Sequence, residues 1–226
     1  MLGDLNDCSI HLNLTKSCDL LNMVKFKYFD QPERFTGLME PDTACSICGE
    51  TKACFDASGF FGEETIGAIC PDCLAGGKLR GRSIITCQGD VTELTRQLIA
   101  LNPGESRWAL EKQAIEMTEE LEKTTPHVVS WQDWDWPCID GDYAVFTGYG
   151  SKPLYKRLAN GKNGLQLFEK SLYYTIRDDE DADALWEDSM PGKEIADYKA
   201  SSAYDTLFYV FKSVKSDEIV TVWDCS

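Results

Sequence analysis

Two cysteine pairs constrain the fold of this chain more than any other feature of its sequence. Two residues separate Cys45 from Cys48 and Cys70 from Cys73, and 21 residues lie between the pairs. This spacing lets each pair bring both thiolates onto one metal ion in a tight turn, and two such turns complete a closed tetrahedral site. Gly49 allows the backbone to turn after the first pair. We therefore predict one structural zinc ion bound by Cys45, Cys48, Cys70 and Cys73.

Other uses of these cysteines explain the spacing less well. Four merely buried thiols are the structural alternative, and they leave the paired spacing unexplained. A catalytic zinc needs an open position, and a redox C-x-x-C needs a βαβ context that does not precede these motifs. A segment of about 35 residues cannot be held by burial alone, so we expect the metal to hold its fold. Cys54 and Cys87 lie nearby and are interpreted as buried small apolar groups.

The rest of the sequence predicts an α+β fold. We divide the chain into an extension that need not be structural (1–23), a zinc-ribbon-like or treble-clef-like zinc-binding module (24–88) and an α+β domain with a C-terminal hairpin (89–226). The first 22 residues are polar and mixed, and a short helix lying on the body is the alternative for them.

Hydrophobic periodicity predicts the helices. One covers residues 90–101, with Leu94 and Leu98 on its apolar face, and ends before Pro103-Gly104. A second covers 105–123. A third covers 164–175, and an acidic run at 178–181 introduces a fourth. The apolar stripe of the second helix is predicted to contain Trp108, Ala109, Ile115 and Leu121.

Alternating or continuous apolar residues predict the strands. Residues 24–29 alternate apolar and basic side chains, and residues 143–148 form another apolar run. Residues 207–212 and 219–223 are predicted to form a hairpin that turns at 216–218.

The charge of the chain bears on its partners. The formal net charge is −16, from 38 acidic and 22 basic residues. Such a surface repels a phosphate backbone, so we expect no nucleic-acid partner and a basic protein as the more plausible one. Residues 41–77 contain Lys52 as their one basic residue, so a nucleic-acid-binding zinc module ranks last.

Targeting signals do not stand out in the sequence. No stretch approaches the ~20 apolar residues that cross a bilayer, and the acidic start is not a secretory signal. We therefore expect a cytoplasmic protein with no membrane partner, whose ten cysteines are metal ligands or free thiols rather than disulfides.

Several segments carry a resemblance to a known family. They are Phe26-Lys27-Tyr28, the two cysteine pairs, Gly59-Phe60-Phe61-Gly62-Glu63-Glu64, residues 119–127, Trp131-Gln132, Trp136-Pro137 and Gly141-Asp142-Tyr143. Together they resemble the CbrC family over most of residues 24–148 and, weakly, in the last strands. The resemblance implies a metal-binding stress-response or tolerance protein associated with a nuclease colicin, and it implies no catalytic residues.

This chain departs from the pattern of that family at a second cysteine set. In the family, C-x-x-x-C after the Trp-Pro pairs with a late C-x-x-C, and the corresponding positions here are Asp140, Ala144, Ser213 and Ser216. Cys138 lies two residues out of register. The resemblance thus implies a second metal site lost as a unit. We expect the four side chains to cluster still, with both serine hydroxyls donating to the Asp140 carboxylate.

Catalytic candidates are few. The two histidines are His11 and His127, and a structural role is favoured over general acid–base work for His127. The acidic run 178–183 lacks the Gly and Glu of a calcium loop. An enzyme of unknown reaction remains the first alternative, with its acid or base drawn from Asp133, Asp135, Asp140 and Asp142.

The densest aromatic cluster contains Trp131, Trp134 and Trp136. It is a possible partner surface because Trp dominates interface hot spots. Core packing at a domain junction is the favoured interpretation, since Trp usually buries most of its area.

Together these features predict a non-enzymatic, zinc-stabilised protein that binds another protein. The partner we expect is a basic toxin domain, and the role one of toxin tolerance or immunity. The colicin association in this prediction comes from the resemblance alone.

Overall fold

The computed structural model describes residues 24–174 and 181–226. The predicted extension 1–23, which contains Cys8, Cys18 and His11, lies outside the described residues. So do residues 178–180 of the acidic run.

The described chain combines short helices with one larger sheet and several two-residue strand pairs. The helices are α1 (Pro32–Phe35), α2 (Pro71–Ala75), α3 (Val91–Leu101), α4 (Arg107–Thr124), α5 (Lys152–Leu158), α6 (Gly164–Ser171), α7 (Ala182–Ala184), which continues as a π-helical turn at Leu185–Ser189, and α8 (Tyr198–Ser201). The strands are β1 (Phe55–Asp56), β2 (Phe61–Gly62), β3 (Ala68–Ile69), β4 (Ile84–Ile85), β5 (Gln88–Gly89), β6 (Asp135–Trp136), β7 (Cys138–Ile139), β8 (Asp142–Tyr143), β9 (Val145–Tyr149), β10 (Thr206–Lys212) and β11 (Ile219–Cys225). The α+β fold class is confirmed.

The main sheet has the order β11–β10–β9 and is antiparallel throughout. Its β10–β11 hairpin confirms the predicted pairing, with Lys212 opposite Ile219. Strand β10 is apolar on both faces because the sheet is covered on both sides. Tyr209 and Phe211 point into the larger hydrophobic cluster, whereas Phe208 and Val210 point into a smaller one against α5, α6 and the π-helical turn.

Helices α3 and α4 lie where they are predicted. Helix α3 begins where the Asp90 carboxylate accepts a hydrogen bond from the backbone N–H of Glu93, and it ends at Leu101, before Pro103. The apolar stripe predicted for α4 is wrong, because Trp108 and Ile115 are 72% and 62% exposed. Of the predicted stripe only Leu121 lies on the buried face, which also contains Leu110, Ala114 and Thr118.

Thr118 explains why that face was hard to recognise. Its side chain is polar, yet it is buried because its hydroxyl hydrogen-bonds the Ala114 carbonyl and the Tyr143 hydroxyl, at 2.8 Å each. A satisfied hydroxyl can occupy a core position that a count of apolar residues leaves out.

Two predicted elements need correction. Residues 24–29 do not form a strand, since only Phe29 bridges Phe146, although the side chains of Lys25 and Lys27 are exposed as the alternation predicts. The helix predicted over 164–175 ends at Ser171, because the next residues join β11: Leu172 bridges Thr221. Helix α5, which follows the main strand β9, was not predicted.

The hydrophobic clusters place the first residues of the predicted 24–88 module with the larger body. Tyr28, Phe29 and Phe35 are buried in the cluster that contains Phe146. Phe55 and three of the four predicted ligands, Cys45, Cys70 and Cys73, belong to a separate cluster with its own small core. The Lys123 ammonium of α4 links this cluster to the larger body. It donates hydrogen bonds to the carbonyls of Arg82 and Ile84, at 2.7 Å each. The division at residue 88 stays a prediction.

Within residues 24–174 and 181–226, no helix is both long and apolar enough to cross a membrane.

Candidate metal centre

The first cysteine pair lies on a tight turn. The Gly49 N–H donates to the Cys45 carbonyl and the Cys45 N–H donates to the Glu50 carbonyl, and Ala44 bridges Thr51 to close the loop. Gly49 has a φ of +75°, a left-handed conformation that glycine adopts without a Cβ clash. The local sequence therefore folds into a knuckle around two thiols.

The second pair lies at the start of α2. Cys70 is the N-cap residue and Pro71 takes the first helical position, where its missing N–H costs no hydrogen bond. Cys73 follows in the first turn of the helix, which brings its thiol back toward Cys70. The N–H of Ser46 donates to the Ala68 carbonyl, so the knuckle is tied directly to the strand before this helix.

A small antiparallel sheet connects the two pairs. Strands β1 and β3 pair through Phe55 and Ile69, and both of these side chains are fully buried. Leu74, Leu79 and Ile84 complete the small core. Knuckle, hairpin and helix together place four thiols at one point.

The sulfur geometry fits a single metal ion. The four Sγ atoms all lie within 4.8 Å of one another, and those of Cys48 and Cys70 are 4.0 Å apart. Four sulfurs in a tetrahedron with Zn–S bonds of about 2.3 Å lie about 3.8 Å apart, so small shifts would complete the coordination. Cys45, Cys70 and Cys73 are buried, while Cys48 is exposed. All four could therefore bind one metal ion.

Hydrogen bonding and burial pull the thiol pKa values in opposite directions. Burial alone would raise the pKa of Cys45, but backbone N–H groups, including those of Ile47 and Cys70, donate to its sulfur and lower its pKa to about 6. Burial raises the pKa of Cys70 and of Cys73. Four adjacent thiolates repel one another unless a cation lies between them. The fully deprotonated set therefore favours the binding of a metal ion.

The remaining described cysteines near the core are not part of this cluster. Cys54, Cys87 and Cys138 are buried, as expected of small apolar groups. Burial raises the pKa of Cys54 to about 12 and also raises the pKa of Cys87, so both stay protonated near neutral pH.

The structure also brings together the positions assigned to a former second metal site. The hydroxyls of Ser213 and Ser216 both donate to Oδ2 of Asp140, at 2.7 Å each. These two hydrogen bonds lower the pKa of the Asp140 carboxyl. Lys212 pairs with Val145 in the main sheet, and Ser213 and Ala144 are the next residues of those two strands. Their origin as lost metal ligands stays a prediction.

Asp140 has a second structural role. Asp140 and Gly141 have φ values of 57° and 69° and form the two-residue turn between β7 and β8. Asp-Gly favours this hairpin turn because both positions need positive φ.

The tryptophan cluster is largely packed inside. Trp136 is fully buried and donates its Nε1–H to the Ala144 carbonyl at 2.8 Å, so it offers no surface to a partner. Trp134 is half-buried against Tyr209 and Phe211. Only Trp131 of the three is well exposed, at 45%.

A cavity that sequence reasoning missed adjoins this cluster. Its volume is about 500 Å³, and its lining includes Phe61, His127, Trp134, Asp135 and Asp224. These residues come from distant parts of the chain, so no local pattern signals it. Of the four aspartates proposed for an enzyme, Asp133 and Asp135 line the cavity. The other two lie elsewhere: the Asp140 carboxylate accepts a hydrogen bond from Ser213, and the Asp142 carboxylate accepts one from the Tyr28 hydroxyl.

His127 is held in a structural arrangement. Its Nδ1 lies 2.9 Å from the Thr86 carbonyl oxygen, and its ring packs against Phe60 and Phe61. Burial lowers the pKa of this imidazole, which keeps it neutral near pH 7.

A comparison with family models finds a match over residues 23–217 to a family described as Uncharacterised protein family (UPF0167). That description states no reaction and no partner. No solved structure matches the chain.

Proposed function

The chain belongs to the Uncharacterised protein family UPF0167, and we propose that this protein is a binding protein whose N-terminal part is stabilised by one structural zinc ion. The convergence of the Cys45, Cys48, Cys70 and Cys73 sulfurs within 4.8 Å carries the proposal. Four thiolates in a tetrahedron favour zinc or an iron–sulfur centre. Such a set leaves no open position for a reacting water, so the metal would have a structural role.

Metal analysis of the purified protein tests this proposal. We expect about one zinc per chain, as structural four-cysteine sites bind, and a colourless protein. A brown protein with visible absorption and bound iron would show that the site holds an iron centre rather than zinc. A preparation that folds fully without any metal would refute the structural role.

The proposed partner is a basic protein, and the role is toxin tolerance. The net charge of −16 supports this proposal through electrostatic steering toward a positive surface. The resemblance to the CbrC family supplies the link to a nuclease colicin. Among the three tryptophans of the aromatic cluster, the exposed Trp131 is the one that could anchor such a partner.

A binding experiment separates specific recognition from general attraction between opposite charges. The purified nuclease domain of a colicin is titrated into this protein, with lysozyme as a basic control of unrelated structure. Tolerance by direct neutralisation predicts at least about tenfold tighter binding to the nuclease domain, with retention at 0.15 M salt, where surface attraction is screened. Equal, salt-sensitive binding of both proteins would refute direct neutralisation.

An enzyme is the second candidate, because the cavity is large enough to hold a small substrate. Two features weigh against a thiol nucleophile there. Cys87 lines the cavity with a raised pKa, and its hydrogen bond comes from Thr86 rather than from His127. The His127 imidazole is hydrogen-bonded through Nδ1 to the Thr86 carbonyl. A cavity with fixed aromatic walls and carboxylates but no such nucleophile–base pair in the described residues is better explained as a binding site.

A further inference from the structure

The cavity beside Trp134 has the size and position of a ligand site. Its volume of about 500 Å³ falls within the range of small-molecule pockets. It lies where Phe61 of the metal-held part meets the segment 127–136 and the edge strand β11. Meeting points between substructures are common places for ligand sites.

Aromatic rings form much of the cavity wall. The half-buried Trp134 packs on the fully buried Trp136 with ring centroids 6.1 Å apart, and Phe61 packs edge-on to the His127 imidazole at 6.0 Å. Tyr174, which is 41% exposed, also lines the cavity. The π faces of such rings attract cations, and Trp attracts them most strongly.

The charged groups around the cavity are all acidic among the described residues. Asp133, Asp135 and Asp224 line it, whereas no described Lys or Arg does, and burial keeps His127 neutral. The carboxylates of Asp133 and Asp135 take part in no hydrogen bond or ion pair within the described chain. They are therefore available to a ligand.

Asp224 has a different task. Its Oδ2 accepts hydrogen bonds from the backbone N–H groups of Trp131 and Gln132, and the Tyr209 hydroxyl also donates to this carboxylate. It thus fixes the aromatic segment against β11. Burial raises the pKa of the Asp224 carboxyl. The buried Trp134 Nε1–H makes no hydrogen bond of ordinary geometry in the described structure, but it lies close enough to Asp224 to oppose this rise.

We infer that this cavity binds a small organic ammonium ion, with the cationic head against the Trp134 indole and Asp133 and Asp135 balancing its charge. An anionic ligand would face three carboxylates. A bare metal ion is disfavoured because, in the described chain, the four-cysteine cluster is the only set of at least three potential ligands within coordinating distance. Aromatic walls combined with carboxylates are the usual means of recognising alkylated ammonium groups.

The first experiment compares choline with its neutral isostere 3,3-dimethylbutan-1-ol on the full, metal-bound chain. The indole N–H resonances are followed by NMR. We expect choline to shift the Trp134 signal with a dissociation constant on the order of 1 mM, and the isostere to bind at least about tenfold more weakly. The indole of Trp108, which lies on the exposed face of α4, is the internal control and stays unshifted.

A third probe distinguishes the source of the ammonium group. N-acetyl-lysine methylamide presents the cation as a protein side chain would. Tighter binding of choline than of this probe assigns the cavity to a free quaternary amine, and the reverse assigns it to a basic side chain; both outcomes support ammonium recognition.

Matched variants test the carboxylates. Asp133→Asn together with Asp135→Asn should weaken choline binding by about five- to tenfold, since the charges are removed while the aromatic walls remain. Asp188→Asn removes an exposed charge outside the cavity lining and should change binding by less than about twofold. Equal binding of choline and the isostere, an unchanged affinity in the double variant, or no indole shift would each overturn the inference. Zinc content does not depend on any of these results, so the proposed function stands or falls separately.

Discussion

Two regions of this molecule each gather four side chains from two distant segments, and they are held together by different means. Around Cys45 the chain forms two-residue strands and a five-residue helix, and four sulfurs converge. Near Asp140 lies the turn of a hairpin with two seven-residue strands packed on aromatic rings, and two hydroxyls satisfy one carboxylate. If the cysteine site binds zinc as proposed, a point of convergence needs a metal only where the surrounding core is too small to fix it.

The energy scales of the two regions support this difference. Structural zinc in small peptides contributes on the order of 10–16 kcal/mol, far more than a short module obtains from its own core. A hydrogen bond at a partly exposed carboxylate contributes about 1 kcal/mol or less. The sheet above Asp140 is instead stabilised by buried rings such as Phe146 and Phe211.

The largest effect is expected from removing one metal ligand. Cys70→Ser should abolish zinc binding and unfold the small module, because the remaining three thiolates no longer close the site. Residues 90–226 should stay largely folded. Metal analysis and near-ultraviolet circular dichroism measure the two outcomes. Cys54→Ala is the control, since it removes a buried thiol of the same module that is not a ligand, and it should retain one zinc.

The reverse change sharpens the comparison. Installing cysteines through Asp140→Cys, Ala144→Cys, Ser213→Cys and Ser216→Cys together should add a second zinc, because the structure already brings these positions together. Installing only Ser213→Cys and Ser216→Cys should not, since two thiols form an incomplete set. Metal content that stays at one zinc in the fourfold variant would contradict the lost-site interpretation.

A core deletion tests the other side of the comparison. Phe211 is fully buried and packs against Trp134, Trp136 and Phe146. Phe211→Ala should lower the free energy of unfolding of the larger body by about 3–5 kcal/mol. The bound zinc should remain at one per chain. Loss of the metal along with the sheet would show that the two regions do not differ as described.

The smallest effect concerns the hydrogen bonds at Asp140. Because Ser213 and Ser216 lower the pKa of this carboxyl in the folded protein, their stabilisation is present above the unfolded pKa of about 4 and is lost as the pH falls through the folded value. Ser213→Ala should cost about 1 kcal/mol or less at pH 7 and less than that at pH 2. Urea unfolding at both pH values measures this. Ser202→Ala, at an exposed hydroxyl elsewhere, should show no such pH dependence.

The sequence predicted those features that depend on neighbouring residues. The paired spacing of Cys45 with Cys48 sets a local turn, and two apolar runs at 207–212 and 219–223 with a polar turn between them set a local hairpin, so both are visible in the chain itself. The clustering of Asp140 with Ser213 came from a family resemblance, since no local rule connects residues 73 positions apart.

Features that depend on tertiary contacts were missed or misjudged. The buried face of α4 includes Thr118, whose hydroxyl is satisfied only by a distant tyrosine. Residues 24–29 alternate like a strand but have only one bridge to join. The cavity requires Phe61, His127 and Asp224 to meet, and that meeting is created by the packing of three separate segments.

Hydrogen exchange with and without a zinc chelator tests the central difference most directly. Peptides from the four-cysteine region, residues 45–73, and from the hairpin, residues 206–225, are compared by mass spectrometry in the same sample. Removal of the metal should abolish protection in the first set, because its short elements have little core of their own, and leave the second set protected. Protection that survives chelation in residues 45–73, or that is lost equally in both sets, would contradict the account.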